Sequence, residues 1–108
     1  MNDRLCGLLG MARRAGRLLA GFDAVADSVK AKRAHVILLA SDLSPKTEKE
    51  LRFAAGDAVP FLHTKLTKTE IGHAAGYQKP LGVVATEDRG FAAAMMKAAD
   101  CRNEEDAV

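Results

Sequence analysis

The chain is poor in aromatic residues, with no tryptophan, one tyrosine and four phenylalanines among its 108 residues. Base stacking on exposed aromatic rings therefore cannot be its main recognition device. The sequence also lacks the run of about 20 apolar residues that a membrane-spanning helix needs. Its first residues, Met1 to Arg4, lack the basic and apolar regions of a signal peptide. We therefore expect a cytoplasmic protein that does not contact membranes.

Metal-binding and redox patterns are also missing from the sequence. Cys6 and Cys101 lie near opposite ends of the chain and fit no zinc or redox spacing, so reduced thiols are expected. His35, His63 and His73 are scattered without the spacing of metal ligands. No glycine-rich phosphate loop follows a predicted strand. The sequence predicts no metal site, no cofactor and no catalytic residue.

Acidic residues follow two of the predicted strands, at Ser41-Asp42 and at Glu87-Asp88. Such positions can be catalytic in α/β enzymes. Both pairs also precede predicted helices, where capping of the helix start accounts for them. No nucleophile with a neighbouring base can be argued from the spacing. We expect that the chain is not an enzyme.

The formal net charge of +2 is unevenly distributed along the chain. Residues 100–108 contain four acidic residues and one arginine, and removing them from the 14 acidic and 16 basic residues leaves a body of +5. A basic body with an acidic tail favours an anionic partner such as nucleic acid. A solubilising surface with a frayed end would give the same pattern. The composition predicts one domain over residues 1–99 and a disordered acidic tail over 100–108.

Helical and strand-like apolar patterns alternate along the chain. Helical spacing covers residues 2–15, 22–30, 44–55, 67–75 and 88–99, and short apolar runs cover 18–20, 36–40, 59–62 and 83–85. The alternation predicts an α/β fold, with a central sheet, largely parallel or mixed, covered by helices on both faces. The residues predicted to be mainly buried are Leu5, Leu9, Val25, Val29, Val36, Leu38, Leu51, Ile71, Val83 and Phe91.

A glycine stands directly before the second predicted helix. Gly21 lets another backbone come close, and the N–H groups of Phe22 and Asp23 begin the helix at the positive end of its dipole. Unpaired donors at a helix start form a ready phosphate site. Basic residues lie on both sides of this segment in the sequence, so the pattern suits an RNA-binding module, although many ordinary α/β domains share it.

Several segments, in order, resemble the kink-turn-binding ribosomal proteins of the L7Ae type, and among them the small bacterial YlxQ-type members. The segments are 10–18 (GMARRAGRL), Gly21, 34–42 (AHVILLASD), 71–76 (IGHAAG) and 83–91 (VVATEDRGF). The resemblance extends to about Ala99. It implies a three-layer α-β-α sandwich around a central mixed four-stranded sheet, and RNA binding without enzymatic activity.

The resemblance also implies two RNA-binding elements. The family pattern Gly-x-Asn-Glu-x-x-Lys at the start of the second helix aligns with 21–27, where only Gly21 matches. The second element is the loop before the last strand, which is more polar here than in kink-turn binders. With basic neighbours added, the predicted RNA-binding residues are Gly21, Phe22, Asp23, Ala24, Asp27, Arg14, Arg17, Lys32, Tyr77, Gln78, Lys79 and Pro80.

The departures from the family pattern change the expected specificity. Ala24 cannot hydrogen-bond to a base edge, and Asp27 places a negative charge where the family has a lysine. We expect a monomeric RNA-binding accessory protein for ribosomal or other structured RNA, with weakened or altered kink-turn specificity and with the ribosome or translation proteins as further partners. The alternative is a protein–protein interaction module on the same fold that has lost RNA binding. Salt dependence of binding separates the two hypotheses.

Overall fold

The computed structural model describes residues 3–56 and 59–107, and within them five helices alternate with four strands. The helices are α1 (Asp3–Arg14), α2 (Phe22–Lys30), α3 (Pro45–Ala55), α4 (Lys68–Ala74) and α5 (Arg89–Ala107). The strands are β1 (Leu19–Ala20), β2 (Val36–Leu39), β3 (Phe61–His63) and β4 (Val83–Thr86). This order confirms the alternation that the apolar periodicity predicts.

The four strands form one mixed sheet in the order β1-β4-β2-β3. β4 is antiparallel to both β1 and β2, whereas β2 and β3 are parallel. β1, β2 and β3 therefore all run in one direction and end where β4 begins. We call this side of the sheet the upper edge (Ala20, Leu39, His63 and Val83) and the opposite side the lower edge (Leu19, Val36, Phe61 and Thr86).

Helices cover both faces of the sheet, which confirms the three-layer sandwich. Successive side chains of a strand point to opposite faces, and in β2 Val36 and Leu38 pack with α1, α4 and α5. Ile37 and Leu39 pack with α2 and α3 on the other face. All four residues are buried, because the strand is covered on both sides.

Nine of the ten predicted core residues are buried, and Phe91 is the exception. It lies half-buried in the first turn of α5 and packs against the margin of the core. The positions of this helix that face the sheet are those of Ala92, Met95 and Ala98, all of which are buried.

Capping residues fix the starts of three helices where the sequence predicts them. Ser44 Oγ accepts a hydrogen bond of 3.2 Å from the backbone N–H of Lys46 at the start of α3. Thr67 and Glu70 form the reciprocal capping box of α4. Asp88 Oδ1 accepts the backbone N–H of Phe91 at 2.9 Å and so caps α5.

Two element bounds differ from the sequence-based expectation. β3 covers Phe61–His63, because the parallel register with β2 pairs Ile37 with Phe61 and Leu39 with His63. Val59 is buried without being part of the strand. α5 extends to Ala107, eight residues past the expected end. Residues 100–107 contain no glycine or proline, and an existing helix adds residues more easily than a new one nucleates. Disorder of the acidic tail stays a prediction.

Within residues 3–56 and 59–107, no helix combines the length and apolar character needed to cross a membrane.

Candidate nucleic-acid interface

Gly21 ends β1 and begins α2 in a conformation that other residues avoid. Its φ of 92° and ψ of 162° lie in a region essentially restricted to glycine. Its backbone N–H donates to the carbonyl oxygen of Val83 at 3.0 Å, which ties the start of α2 to the start of β4. A Cβ atom at this position would meet nothing within 4 Å. Glycine is therefore required by backbone geometry rather than by lack of space.

The start of α2 presents backbone donors that no side chain caps. Gly21 has no side-chain oxygen, and the helix has no side-chain cap hydrogen bond. The first intrahelical bond runs from the N–H of Val25 to the Gly21 carbonyl at 3.2 Å. The N–H groups of Phe22, Asp23 and Ala24 precede this bond and have no acceptor within α2. They lie at the positive end of the helix dipole, where an anion is stabilised.

The side chains on the first turns of α2 are exposed and acidic. Phe22 is 39% exposed, Asp23 and Asp27 are exposed, and Ala24 is half-buried. Asp23 and Asp27 stand four residues apart on one helix face, so their negative charges repel. Neither carboxylate has an ion-pair partner among the residues that the structure describes. The side chains at this helix start therefore oppose the phosphate site that the backbone offers.

The loop between α4 and β4 (75–82) lies directly on α4. A Cβ atom at Gly72 would clash with the carbonyl oxygen of Lys79, so only glycine allows this approach. The N–H of Leu81 donates to the carbonyl of Lys68 at 3.0 Å, which closes the loop back onto the first turn of α4. Gln78, Lys79 and Pro80 form the exposed part of the loop.

The beginning of the same loop is held by α1. The guanidinium carbon of Arg13 lies 4.5 Å from the centre of the Tyr77 ring, a cation–π contact. Gly76 has a positive φ of 84° and lies against the Arg13 side chain. Tyr77 is thus half-buried beside α1 and contributes to the position of the loop. The loop runs from this contact to the upper edge of the sheet.

The end of the loop and the start of α2 meet at the upper edge. The carbonyl of Gly82 accepts the N–H of Ala40 at 2.9 Å, and the next residue, Val83, accepts the N–H of Gly21. Lys68 lies over this junction, since a Cβ atom at Gly82 would come within 3.5 Å of Lys68 Cδ. The two elements predicted to bind RNA therefore adjoin one another at Gly21, Gly82 and Val83.

Lys68 is a cation of this site that the sequence-based prediction missed. Its backbone N–H donates to Asp42 Oδ1 at 2.9 Å, which fixes the start of α4 beside the β2–α3 connection. A lysine in the first helical turn is unfavourable with the helix dipole. The presence of a lysine at this unfavourable position is the feature of the sequence that could have identified Lys68 as a binding residue. Lys65, which follows β3 at the same edge, is exposed as well.

The structure separates two of the predicted RNA-binding cations, Arg17 and Lys32, from this junction. Arg17 precedes β1 at the lower edge, where its carbonyl accepts from Thr86 Oγ1 at 2.7 Å. Lys32 follows the other end of α2, about 13 Å along the helix from Gly21. Arg14 lies in the last turn of α1, beside Gly10. Arg17 and Lys32 therefore do not cluster with the start of α2, whereas Arg14 lies near the end of α4, because a Cβ atom at Gly10 would come within 3.2 Å of the Ala74 carbonyl oxygen and 3.4 Å of Arg14 Nη1.

Arg17 and Arg33 at the lower edge pair with carboxylates. Glu87 accepts hydrogen bonds from Ser28 Oγ at 2.7 Å and from Arg33 Nε at 3.0 Å. These hydrogen bonds, that from Ser28 first, hold the pKa of Glu87 below its ordinary value of 4.5. Arg17 Nε lies 3.8 Å from Asp88 Oδ2. Part of the positive charge of this edge is thereby neutralised.

Four lysines near the upper edge have no such partners. Over residues 3–56 and 59–107, no ion pair involves the side chains of Lys46, Lys65, Lys68 or Lys79. Unpaired cations are the groups that contribute most to the attraction of an anionic partner. The upper edge therefore combines backbone donors with available positive charge, and it is the candidate nucleic-acid interface.

Comparison with known proteins identifies relatives over most of the chain. The model of the ribosomal protein L7Ae/L30e/S12e/Gadd45 family matches residues 3–96. The RNA-binding protein YlxQ of Bacillus subtilis (strain 168) is 33% identical over 86 residues, which cover 79% of this chain and 84% of YlxQ. The family match includes the start of α2 and the loop before β4.

Solved structures share the fold. A protein of unknown function from Bacillus halodurans C superimposes with a TM-score of 0.82 and 28% identity, over 90% of this chain and 97% of that one. The 15.5kD RNA binding protein of Giardia lamblia superimposes with a TM-score of 0.69 and 18% identity, over 90% of this chain and 82% of that one. At 18% identity the second likeness concerns the fold alone.

Proposed function

Because this chain belongs to the ribosomal protein L7Ae/L30e/S12e/Gadd45 family, we propose that it is an RNA-binding accessory protein for ribosomal or other structured RNA. The observation that carries the proposal is the uncapped start of α2, where a glycine exposes backbone donors beside the α4–β4 loop. The similarity to YlxQ, which is named as an RNA-binding protein, supports the same function.

Phosphate binding is the first step of the proposed recognition. The N–H groups of Phe22 and Asp23 offer fixed donors to one phosphate, and they need no particular side chain. Lys68 and Lys79 supply positive charge beside them, at the junction and on the exposed loop. Contacts of this kind position the RNA and set the affinity, but they carry no sequence information.

Base reading is the second step, and it falls to few side chains. Asp23 is exposed and can accept hydrogen bonds from base amino groups, which guanine, cytosine and adenine carry. Ala24 offers only an apolar contact. The family pattern has asparagine and glutamate at positions 23 and 24. This chain therefore keeps only one hydrogen-bonding side chain at these two positions. We propose that it binds kink-turn RNA with weakened or altered specificity.

The proposals for the location, process and partners of RNA binding rest on the family membership. We propose that the protein acts in the cytoplasm as a monomer and takes part in translation, with ribosomal RNA as the structured RNA. Ribosomal or translation proteins are then secondary partners. Size-exclusion chromatography coupled to light scattering tests the monomer, with and without RNA.

Reversal of the charge at Asp27 tests the location of the site. Asp27→Lys removes the repulsion of phosphate and the like-charge neighbour of Asp23. It should tighten binding of a kink-turn RNA by roughly three- to tenfold, since one surface charge contact is worth about 1 kcal/mol. Fluorescence anisotropy against a kink-turn RNA and an unrelated hairpin measures both affinity and specificity.

The control is Asp27→Asn, which removes the negative charge without adding a positive one and should give a smaller gain. Lys79→Ala should weaken binding to both RNAs alike, because it removes a phosphate contact. If neither Asp27→Lys nor Lys79→Ala changed the affinity, the interface would lie elsewhere. The protein–protein interaction hypothesis would then take the lead.

A further inference from the structure

The outer face of α3 carries one aromatic ring in full contact with solvent. Phe53 is 92% exposed, whereas the next most exposed large apolar residues, Met11 and Phe22, are 46% and 39% exposed. Lys46, Lys49, Glu50 and Phe53 follow one another at helical spacing, so they share one face of α3. Together they line a shallow, open depression on the surface of the helix.

The charge of this depression favours an anionic ligand. Among the described residues, neither Lys46 nor Lys49 has an ion-pair partner. The other charged side chains of the helix, Glu48 and Arg52, are paired with each other at 2.8 Å. Arg52 also lies 4.4 Å from the centre of the Phe61 ring and is not available to the depression. Two free cations therefore stand beside Phe53 against one carboxylate, that of Glu50.

The depression and the start of α2 lie in the same layer of helices. α2 follows β1 and α3 follows β2, and both strands end at the upper edge. The two helices therefore start side by side in one layer and pack on the same face of the sheet. Lys46 stands in the first turn of α3, and Phe53 lies about 10 Å farther along the helix. A strand of RNA that leaves the start of α2 can follow this path.

We propose, on the basis of the proposed function, that the depression binds an unpaired nucleotide of the same RNA. Its base stacks on Phe53, and its flanking phosphates contact Lys46 and Lys49. A single exposed ring is sufficient for stacking, because every base has a π-face. A protein partner instead requires a cluster of apolar anchors that is fully desolvated, and the depression offers only one apolar side chain. A base within a duplex has no free face, so the nucleotide is unpaired.

The test compares a blunt-ended kink-turn RNA with the same RNA carrying a six-nucleotide unpaired extension, at the 5′ end in one arm and at the 3′ end in the other. The full chain should bind one of the extended RNAs more tightly, by a factor on the order of ten, as expected for one stacked base. Phe53→Ala should abolish this advantage and leave the affinity for the blunt RNA unchanged. Phe53→Tyr should keep the advantage, because the ring is retained.

Affinity measurements alone do not show that the RNA contacts position 53, and a fluorescence measurement does. The chain has no tryptophan, so Phe53→Trp introduces a single fluorophore at the site. The extended RNA should quench its emission, and the blunt RNA should not. Because Phe53 is almost entirely exposed, none of these substitutions should alter the circular dichroism spectrum or the Tm.

The outcomes separate this inference from the proposed function. Equal binding of blunt and extended RNA would overturn the nucleotide site and leave RNA binding at the start of α2 intact. Absence of binding to all three RNAs would contradict both. A dimer that forms at high concentration and is lost in Phe53→Ala would overturn the inference by assigning this face to a second copy of the chain.

Discussion

At the scale of single residues, backbone conformation matters more than side-chain chemistry in this site. Gly21 adopts a φ of 92° with open space around it, so its role is to turn the chain and leave the helix start uncapped. Lys32 at the other end of α2 has a φ of 60°, which is uncommon for a residue with a side chain. The spacing of apolar residues carries no information about either angle.

Alanine substitution tests whether the backbone conformation of Gly21 requires glycine. Gly21→Ala should lower the free energy of unfolding by about 1–3 kcal/mol, the usual cost of forcing a side chain into such a region. Gly7→Ala is the matched control, because it lies within α1 with nothing within 4 Å of an added Cβ atom. It should raise stability by roughly 0.5–1 kcal/mol. Urea denaturation measures both, and equal effects would contradict the conformational role of Gly21.

At the scale of elements, the starts of the helices and the centre of the sheet follow from local sequence. The helices expected to begin at residues 44, 67 and 88 are capped by Ser44, by Thr67 with Glu70, and by Asp88. The apolar run of β2 is buried on both faces. The position of Arg17 beside Thr86 and Asp88 does not follow, because it depends on which strands pair. β1 is next to β4, far away in sequence, and local periodicity does not encode that pairing.

Contacts between elements at the lower edge give stability a defined pH dependence. Glu87 joins α2 to the end of β4 through Ser28 and Arg33, and its pKa is lowered from 4.5. A lowered carboxyl pKa gives stability that is present above the unfolded-state pKa and lost as the pH falls through the folded-state pKa. The free energy of unfolding should therefore decrease as the pH drops below about 4.5.

The variant Glu87→Gln isolates this contribution. It should be less stable than the wild type at pH 7, and its stability should fall less steeply with acidification, since position 87 no longer titrates. Glu50→Gln, on the exposed face of α3, is the control and should keep the wild-type profile. Urea denaturation from pH 7 to pH 3 measures the three curves. Parallel curves for Glu87→Gln and the wild type would contradict the prediction.

At the scale of the whole molecule, the sequence predicts the layers and most of the core, and charge alone indicates an anionic partner. It does not predict that Lys65, Lys68 and Lys79 lie near the upper edge without ion-pair partners among the described residues, while Arg17 and Arg33 pair with carboxylates at the lower edge. Lys68 reaches the site only because the α4–β4 loop folds back onto the first turn of α4. Such placement results from the tertiary fold and has no local signature.

The acidic tail should weaken RNA binding through charge. Removal of residues 100–108 changes the formal net charge from +2 to +5, so affinity for RNA should rise, and more so at low salt. The Tm should stay nearly unchanged, because the sequence of the tail contains few apolar residues. Conversion of its four carboxylates to amides is the control that keeps the length. A large fall in Tm on deletion would mean that the tail docks on the body.

The salt dependence of RNA affinity tests most directly whether the upper edge is the RNA interface. Lys68→Gln and Lys30→Gln each remove one positive charge, the first at the upper edge and the second in the last turn of α2, away from Gly21. Plots of log Kd against log salt concentration should be steep for the wild type and shallower by about one unit for Lys68→Gln, as for the loss of one phosphate contact. Lys30→Gln should keep the wild-type slope. A slope reduced by Lys30→Gln and unchanged by Lys68→Gln would place the RNA at the other end of α2 and contradict the account.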